Sequence, residues 1–368
     1  MPKIVIMAGG TGGHVFPGLA VAAELKQLGW TVEWFGTKDR MEADTVPKYG
    51  FPIHFLDIAG VRGKGLMRKL LSPFHLFSAV LSARKILTSI SPDLVLGMGG
   101  YASGPGGLAA RMLNIPLFIH EQNAVFGLTN RLLAKFADKV FTGFDVSKNT
   151  DDSKAPKHCI WVGNPVRAEF FETYSDSVTE NTDKNVEQAP IKVLITGGSL
   201  GAQALNQQVP HVLSDLSETF PMSVWHQTGK GKLTDVEGKY STTLDVRSEE
   251  FINDTAIAYA WADIIICRAG ALTVAEVSAS GRPAIFVPLP IAVDDHQTKN
   301  ASILVNAGAA FIVNQNDIPT LLSKYLKEIL SSTHMRQTMA KMARIQSKKN
   351  AAKQLAEYCQ QVVGDKYQ

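Results

Sequence analysis

Apolar residues in this chain fall in short continuous runs, each followed by a polar or glycine-rich turn and then by apolar residues at helical spacing. A continuous apolar run marks a strand buried on both faces, as in a parallel sheet. In the first half such runs occupy 3–8, 31–36, 93–97, 115–120 and 138–142, and in the second half 191–196, 222–227, 262–267 and 283–288. Helical patterns fill the gaps, notably over 17–28, 104–113, 127–136, 201–217, 271–280 and 297–306. Strands and helices alternating over this length predict an α/β fold, with parallel sheets covered by helices on both faces.

The pattern repeats. A strand run leads into Gly9-Gly-Thr-Gly-Gly-His14, and another leads into Gly197-Gly-Ser-Leu-Gly201. Pro92–Tyr101 echoes Ala262–Ala271, and Asn114–His120 echoes Gly281–Pro288. Three matched segments in one order imply two Rossmann-like, doubly wound domains, expected to face each other across a cleft. The stretch 168–190 is rich in Glu, Asp, Thr, Ser and Asn and reads as a linker. The predicted domains are 1–165 and 166–344, with a C-terminal helix over about 345–368 packing back on the first. Ligands of such sheets bind at the carboxyl ends of strands. That singles out loops 8–14, 97–104, 120–124, 197–201, 267–273 and 288–297.

Bulk composition narrows the reading. The 368 residues suit two domains of roughly 150 residues each. At 45% apolar residues the chain can bury two ordinary cores, and a net charge of +3 gives no reason to expect nucleic acid. Three cysteines without a C-x-x-C pair fit a reducing cytosol. A strand pattern begins at residue 3 with no basic segment before it, so no signal peptide is expected. No apolar run reaches the roughly 18 residues that span a bilayer.

A glycine turn running into a helix offers free N–H groups and a dipole to an anion. Neither turn fits the dinucleotide spacing G-x-G-x-x-G, because Val15 stands where a small residue is required and nothing matches after Gly198. Gly36-Thr37, not an acid, sits at the tip of the second strand, and no G-x-x-x-x-G-K-[ST] is present. There is no D-x-D pair and no His/Cys cluster with metal spacing, so no metal is expected. Backbone amides, helix dipoles and Arg167 or Arg268 are left to hold a phosphate.

Five ordered motifs then become specific: residues 9–14, Gly97-Met-Gly-Gly-Tyr-Ala-Ser-Gly-Pro105, His120-Glu-Gln-Asn123, Gly163-Asn-Pro-Val-Arg167 and Arg268-Ala-Gly-Ala-Leu-Thr-Val-Ala-Glu276. Together, from residue 3 to about 310, they resemble the bacterial glycosyltransferases that add N-acetylglucosamine to undecaprenyl-pyrophosphoryl-muramyl-pentapeptide, forming the lipid-linked disaccharide precursor of peptidoglycan. The resemblance implies the two-domain GT-B fold, an inverting transfer from UDP-N-acetylglucosamine, no cofactor and no essential metal. It also implies a peripheral enzyme at the cytoplasmic face of the inner membrane, with a cell-wall synthesis or division complex as a candidate partner. A UDP-N-acetylglucosamine 2-epimerase-like enzyme of the same fold is the alternative, and a two-lobed binding protein without chemistry is the third reading.

Such a transfer needs a base for the acceptor hydroxyl, donors for the departing diphosphate, and polar groups that read the nucleoside and sugar. His14 is the first choice for base, with binding of the acceptor pyrophosphate as its other role. His120 and Glu121 are rival proton handlers, and Glu121 has loop fixing as its alternative. Thr11, Gly12 and Gly13 would present amides to the acceptor diphosphate or the sugar. Tyr101 and Ser103 would border the acceptor, and Asn123 by resemblance reaches the donor sugar. On the second domain, Ser199 and the amides of Ala271, Leu272, Thr273, Val274 and Ala275 would meet the donor phosphates. Glu276 would accept the ribose hydroxyls, Arg167 would read the base or ribose edge, and Ile252 would meet uracil through its backbone. Gln297 would grip the sugar. Leu200 and His296 stand where the family commonly has glutamines.

A lipid-linked acceptor requires contact with a bilayer. Leu66, Leu70, Phe74, Phe77 and Leu81 recur every three or four residues, flanked by Lys64, Arg68, Lys69, Arg84 and Lys85. An exposed apolar face with a basic rim suits anionic lipid. An ordinary core helix is the other reading, and Pro73 is expected to break the helix in two.

Overall fold

The computed structural model describes residues 1–56, 66–146, 156, 158–172, 189–198, 201–290 and 295–367, with side chains of 66–73 and 365–367 excepted. The chain divides into two compact units, one of Met1–Val166 with Asn350–Gln368 and one of Arg167–Lys349.

The first unit runs β1 (Lys3–Met7), α1 (Gly12–Gln27), β2 (Thr31–Gly36), α2 (Met41–Lys48), β3 (Ile53–Phe55), α3 (Leu66–Ile90), β4 (Leu94–Gly97), α4 (Ser103–Met112), β5 (Leu117–Glu121), α5 (Leu128–Leu133), β6 (Lys139–Thr142) and β7 (Cys159–Trp161). The second adds α6 (Glu169–Glu172), β8 (Ile191–Thr196), α7 (Gln203–Ser217), β9 (Met222–Gln227), β10 (Asp245–Glu249), α8 (Thr255–Trp261), β11 (Ile264–Cys267), α9 (Ala271–Ser280), β12 (Ala284–Phe286), α10 (His296–Asn306), β13 (Ala310–Ile312), α11 (Ser323–Ser331) and α12 (Thr333–Ile345). The last helix, α13 (Ala351–Tyr367), belongs to the first unit.

Each sheet is parallel throughout. The first has the order β3-β2-β1-β4-β5-β6-β7 and the second β10-β9-β8-β11-β12-β13. β1 shows why its run is apolar without a break. Ile4 and Ile6 point into one core with Leu94, Leu96 and Phe118, while Val5 and Met7 point into another with Val95, Leu117 and Ile119. Successive side chains of a strand face opposite sides, so a central strand needs apolar residues at every position.

Helices cover both faces. α1 buries Leu19, Val21, Ala22 and Leu25 beside Leu355, Ala356, Cys359 and Val363 of α13. Each fully buried Leu or Val contributes roughly 1.5–3 kcal/mol, which ties α13 to the first unit. The other face is covered by Val80, Ala83, Leu87 and Ile90 of α3 with Ala109 and Ala110 of α4. In the second unit, α7 and α11 bury Leu205, Val209, Leu213, Leu326 and Ile329 on β8, β9 and β11.

Two expectations are corrected here. α3 continues unbroken through Pro73, so the helix is one piece of 25 residues. α1 begins at Gly12, five residues before its apolar pattern, so the glycine turn feeds the helix directly.

Candidate functional site

In the first unit the glycine turn is tied down from beneath. Gly10 N–H donates to Glu42 Oε2 at 3.0 Å, and Thr37 donates to Oε1 through its N–H at 3.0 Å and its hydroxyl at 2.7 Å. Glu42 is fully buried. Sequence reasoning found no acid at the tip of β2 and missed that α2 returns one to the same place. Its oxygens face the protein's own donors, the opposite of a carboxylate that reads a ribose. His14 N–H and Val15 N–H close the first turn on Thr11 O at 3.1 and 3.2 Å. The amides of Gly12 and Gly13, at the start of α1, have no intrahelical acceptor and remain available to an anion.

His14 sits beside this opening. Its Nδ1 lies 3.0 Å from Gln122 Oε1. Its ring lies over Gly99, where an added Cβ would come within 2.7 Å of Nδ1. Gly99 also has φ +96°, a conformation that side-chain-bearing residues rarely adopt. Tyr101 remains at the rim, its ring near Gly10, with the Arg40 guanidinium 6.0 Å from the ring centroid.

Three of the expected contacts turn inward instead. Ser103 is fully buried; its hydroxyl accepts from Gly99 N–H at 3.1 Å and lies within bonding distance of the carbonyls of Met7 and Gly99. It braces the turn through its hydroxyl. His120 is fully buried with Nε2 on Gly163 O at 2.9 Å, and burial lowers its pKa to about 4. Its enclosed imidazole is turned to the protein's own carbonyl and away from the surface. Glu121 takes four donors, from Asn123 N–H and Nδ2, Gly127 N–H and Asn130 Nδ2, at 2.9–3.1 Å. Its geometry is that of a loop fixer. Asn123 therefore has its amide nitrogen engaged with Glu121. Asn164 Nδ2 donates to Gln122 O at 3.0 Å and joins loop 120–124 to 163–167. Gln122, Asn130 and Asn164 were not singled out from sequence, although two of them lie within quoted motifs.

In the second unit, α9 begins after Gly270, and Val274 N–H bonds to Gly270 O at 2.9 Å. The amides of Ala271, Leu272 and Thr273 then form the open first turn. Val274 and Ala275 follow, their amides already within the helix. Glu276 is partly buried one turn further in, and desolvation raises its pKa to about 8 against the pull of Arg167. Arg167 donates to Thr255 Oγ1 at 3.1 Å and lies 3.6 Å from Asp254, with its guanidinium 5.2 Å from the Phe170 ring centroid. Asp254 in turn caps α8 by accepting from Ala256 N–H at 3.0 Å. Ile252 buries its side chain, which leaves only its backbone for a ligand. Gln297 Oε1 accepts from Leu289 N–H at 2.9 Å, so its amide nitrogen is the end available to a sugar.

Arg268 is corrected as a phosphate group. Its Nη1 donates to the carbonyls of Val287 and Pro288 at 2.9 and 3.1 Å, and its Nη2 to Gln315 at 2.9 Å. The cation holds loop 287–288. Ser199 and Leu200 lie outside the described residues. The glycine turn there is latched by Gly201 N–H to Gly198 O at 2.8 Å. Beneath it, Tyr240 hydroxyl meets His226 Nδ1 at 2.7 Å, His226 Nε2 meets Asn206 Oδ1 at 3.1 Å, and Asn206 Nδ2 donates to Thr228 O at 2.9 Å. Burial lowers the His226 pKa to about 4, so this second buried histidine is also neutral. Among the described residues no group of three or more His, Cys, Asp or Glu is placed to hold a metal.

On α3, Phe74 and Phe77 are 73% and 63% exposed, and Leu76 and Leu81 are exposed beside them, while Val80, Ala83 and Leu87 face the core. Arg84 and Lys85 are exposed as well. The aromatic face is thus not the core face. Lys64 lies outside the described residues, as do the side chains of Leu66, Arg68, Lys69 and Leu70. Met112 of α4 and Leu128 and Leu132 of α5 are also exposed. No described helix is long and apolar enough to cross a membrane.

Two helix starts with open amides on two parallel-sheet units fit the GT-B architecture, and the comparisons make the chain a glycosyltransferase. Residues 4–142 match the glycosyltransferase family 28 N-terminal domain and residues 192–355 its C-terminal domain. The chain belongs to this family. A relative from Tolumonas auensis, named UDP-N-acetylglucosamine–N-acetylmuramyl-(pentapeptide) pyrophosphoryl-undecaprenol N-acetylglucosamine transferase, is 50% identical over 364 residues, covering 98% of this chain and 99% of its own. The crystal structure of Acinetobacter baumannii MurG superposes with a TM-score of 0.83 at 40% identity, covering 98% of this chain and 100% of that one. A UDP-GlcNAc 2-epimerase from Neisseria meningitidis, bound to UDP-GlcNAc, shares the fold at a TM-score of 0.67 and 18% identity, covering 98% of this chain and 100% of that one.

Proposed function

We propose that the chain transfers N-acetylglucosamine from UDP-N-acetylglucosamine to undecaprenyl-pyrophosphoryl-N-acetylmuramyl-pentapeptide, with inversion at the anomeric carbon. The observation that carries this reading is the 50% identity over nearly the whole of both chains to a relative named for that reaction. The epimerase reading rests on fold alone.

In this reading the donor lies on the second unit. The amides of Ala271, Leu272 and Thr273, with the turn at 197–201, take the diphosphate, and Glu276 accepts the ribose hydroxyls. Arg167 and the Ile252 backbone read the base edge, and the Gln297 amide meets the sugar. On the first unit, the amides of Gly12 and Gly13 and the Tyr101 rim receive the acceptor. His14 Nε2 removes the proton from the acceptor hydroxyl, whose oxygen attacks the anomeric carbon. UDP departs with the bonding pair, and the α9 dipole and amides stabilise the charge that develops on it. No residue is assigned to a metal. The exposed Phe74 and Phe77, with Arg84 and Lys85, dock this unit on an anionic bilayer from the cytoplasmic side, where the lipid-linked acceptor is held.

One assay tests the reaction: UDP release from UDP-N-acetylglucosamine with and without the lipid-linked muramyl-pentapeptide. Release that depends on the acceptor is expected. Isomerised UDP-sugar without acceptor would replace this reading with the epimerase.

A further inference from the structure

Gln122 is the least explained residue of the first-unit site. It lies between His120 and Asn123 in a motif whose other members have clear roles, and it is 1% exposed. Its backbone is fixed by Asn164 Nδ2 on its carbonyl at 3.0 Å. Its side-chain oxygen meets His14 Nδ1 at 3.0 Å. The bare Cα of Gly99 leaves the space the imidazole occupies, since an added Cβ would come within 2.7 Å of Nδ1 and 2.9 Å of Cε1. An amide oxygen on Nδ1 and a glycine that makes room for the ring together define its position.

A neutral imidazole carries one proton, and the hydrogen bond at one nitrogen decides which nitrogen keeps it. An amide oxygen accepts and cannot donate. Facing Gln122 Oε1, Nδ1 must carry the proton, and the lone pair is left on Nε2. We propose that Gln122 is a positioning residue that locks His14 in the Nδ1–H tautomer, so that its open nitrogen is always the basic one. This rests on the reading of His14 as the base. The arrangement differs from a His–carboxylate pair in one respect. A neutral amide orients the ring without adding a negative charge that would favour the imidazolium in the resting state.

The surrounding charges leave that role to Gln122. The nearby carboxylate on β5, Glu121, is engaged by Asn123, Gly127 and Asn130. Glu42 on α2 is engaged by Gly10 and Thr37. His120 is buried and neutral. The Gln122 Nε2 is buried without a partner among the described residues. Were the amide reversed, that nitrogen would donate to Nδ1 and push the imidazole proton onto Nε2, where no base could act.

The test reads the tautomer directly. The full-length protein is labelled with ¹⁵N-histidine, and His14 is assigned by the resonance lost in His14→Ala. Protonated Nδ1 and bare Nε2 are expected in the neutral imidazole at alkaline pH. A His14 protonated on Nε2 overturns the proposal. Two variants add a kinetic readout. Gln122→Glu is expected to move the acid limb of the kcat/KM profile up by about one pH unit or more, because a carboxylate against Nδ1 favours the cation. Gln122→Met is expected to mix the tautomers and lower kcat about tenfold with KM for the UDP-sugar unchanged. An unmoved pH profile in Gln122→Glu together with an unchanged tautomer in Gln122→Met would reduce Gln122 to packing. Full activity in His14→Ala would remove the base while leaving the tautomer result to stand or fall by itself.

Discussion

The two units share one strand order and build their sites by opposite means. Counted from each unit's own first strand, both sheets run 3-2-1-4-5-6, and the first adds a seventh strand. At the carboxyl edge of the first sheet, buried side chains do the work: Glu42, Ser103, Glu121, Asn130 and Asn164 anchor loops so that one imidazole is held in place. At the same edge of the second sheet, the first turn of α9 leaves backbone N–H groups open, and one carboxyl, Glu276, lies one turn further in with its pKa raised by desolvation. A duplicated frame therefore fixes where a ligand can bind. In the proposed reaction, what fills the space beneath each turn decides which of the two takes the proton and which holds the anion.

The sharpest way to break this comparison is to remove the imidazole. His14→Ala is expected to lower turnover by about 10²–10⁴, the usual range for a general base, with affinity for the UDP-sugar unchanged. Isothermal titration beside steady-state kinetics measures both. A loss confined to acceptor KM would make the first unit an anion site like the second, and the contrast would disappear.

The second unit is tested through Glu276. Glu276→Ala is expected to weaken UDP-sugar binding about tenfold or more, since a hydrogen bond to a charged group contributes roughly 1.5–3 kcal/mol. The raised pKa gives a pH signature. A carboxyl must lose its proton to accept from both ribose hydroxyls, so affinity should rise with pH and level off above about 8. The same shift acts on stability with a definite sign. The folded state favours the protonated form, so this contribution is complete below the ordinary carboxyl range near 4.5 and is lost as pH rises through about 8. Glu276→Gln is expected to abolish both dependences. Donor affinity that stays flat from pH 6 to 9 in the parent protein would remove Glu276 from the site.

A third test concerns the anchoring beneath the first turn. Glu42→Gln turns one acceptor into a donor facing Gly10 and Thr37, and each orphaned buried donor costs roughly 1–3 kcal/mol. The first unit is expected to melt several degrees lower while UDP binding by the second is retained. Thermal melts with and without UDP separate the two. An unchanged melt would mean that the Glu42 contacts do not stabilise the turn.

Much of this frame was legible in the sequence, and the anchoring was not. β2, β8, β9 and α9 fall at the residues their patterns predict, because buried central strands and amphipathic helices leave strong periodic signals. β3, Ile-His-Phe, and β10, Asp-Val-Arg-Ser-Glu, were missed because short, half-buried edge strands have no continuous apolar run. α1 hid its first turn because Gly12, Gly13 and His14 are poor helix formers. Motif reading singled out His14 and Glu276 as candidates and passed over Glu42 and Gln122. Glu42 acts on Gly10 across 32 positions, and Gln122 acts on His14 across 108. No local spacing records such a contact. The inward turn of Ser103 and His120 was illegible for the same reason, since a motif marks a residue without saying whether it faces the surface or the core.

The smallest change in fold and in solution chemistry is expected on the outer face of α3, which separates the units in a further way: among the described residues this exposed aromatic face belongs to the first. Phe74→Ser with Phe77→Ser removes apolar surface already in water, so folding stability should move by no more than about 0.5 kcal/mol per site. Turnover on a short-chain soluble acceptor should be unchanged. Sedimentation with anionic vesicles should be lost, and turnover on the long-chain acceptor in membranes should fall with it. Binding by the parent should weaken as ionic strength is raised about tenfold, because Arg84 and Lys85 act through screened attraction. Val80→Ser is the control from the core face of the same helix: it should lower the melting temperature without a specific loss of vesicle binding. A double variant that melts early, or a parent that never sediments with vesicles, would show that this face serves something other than a bilayer.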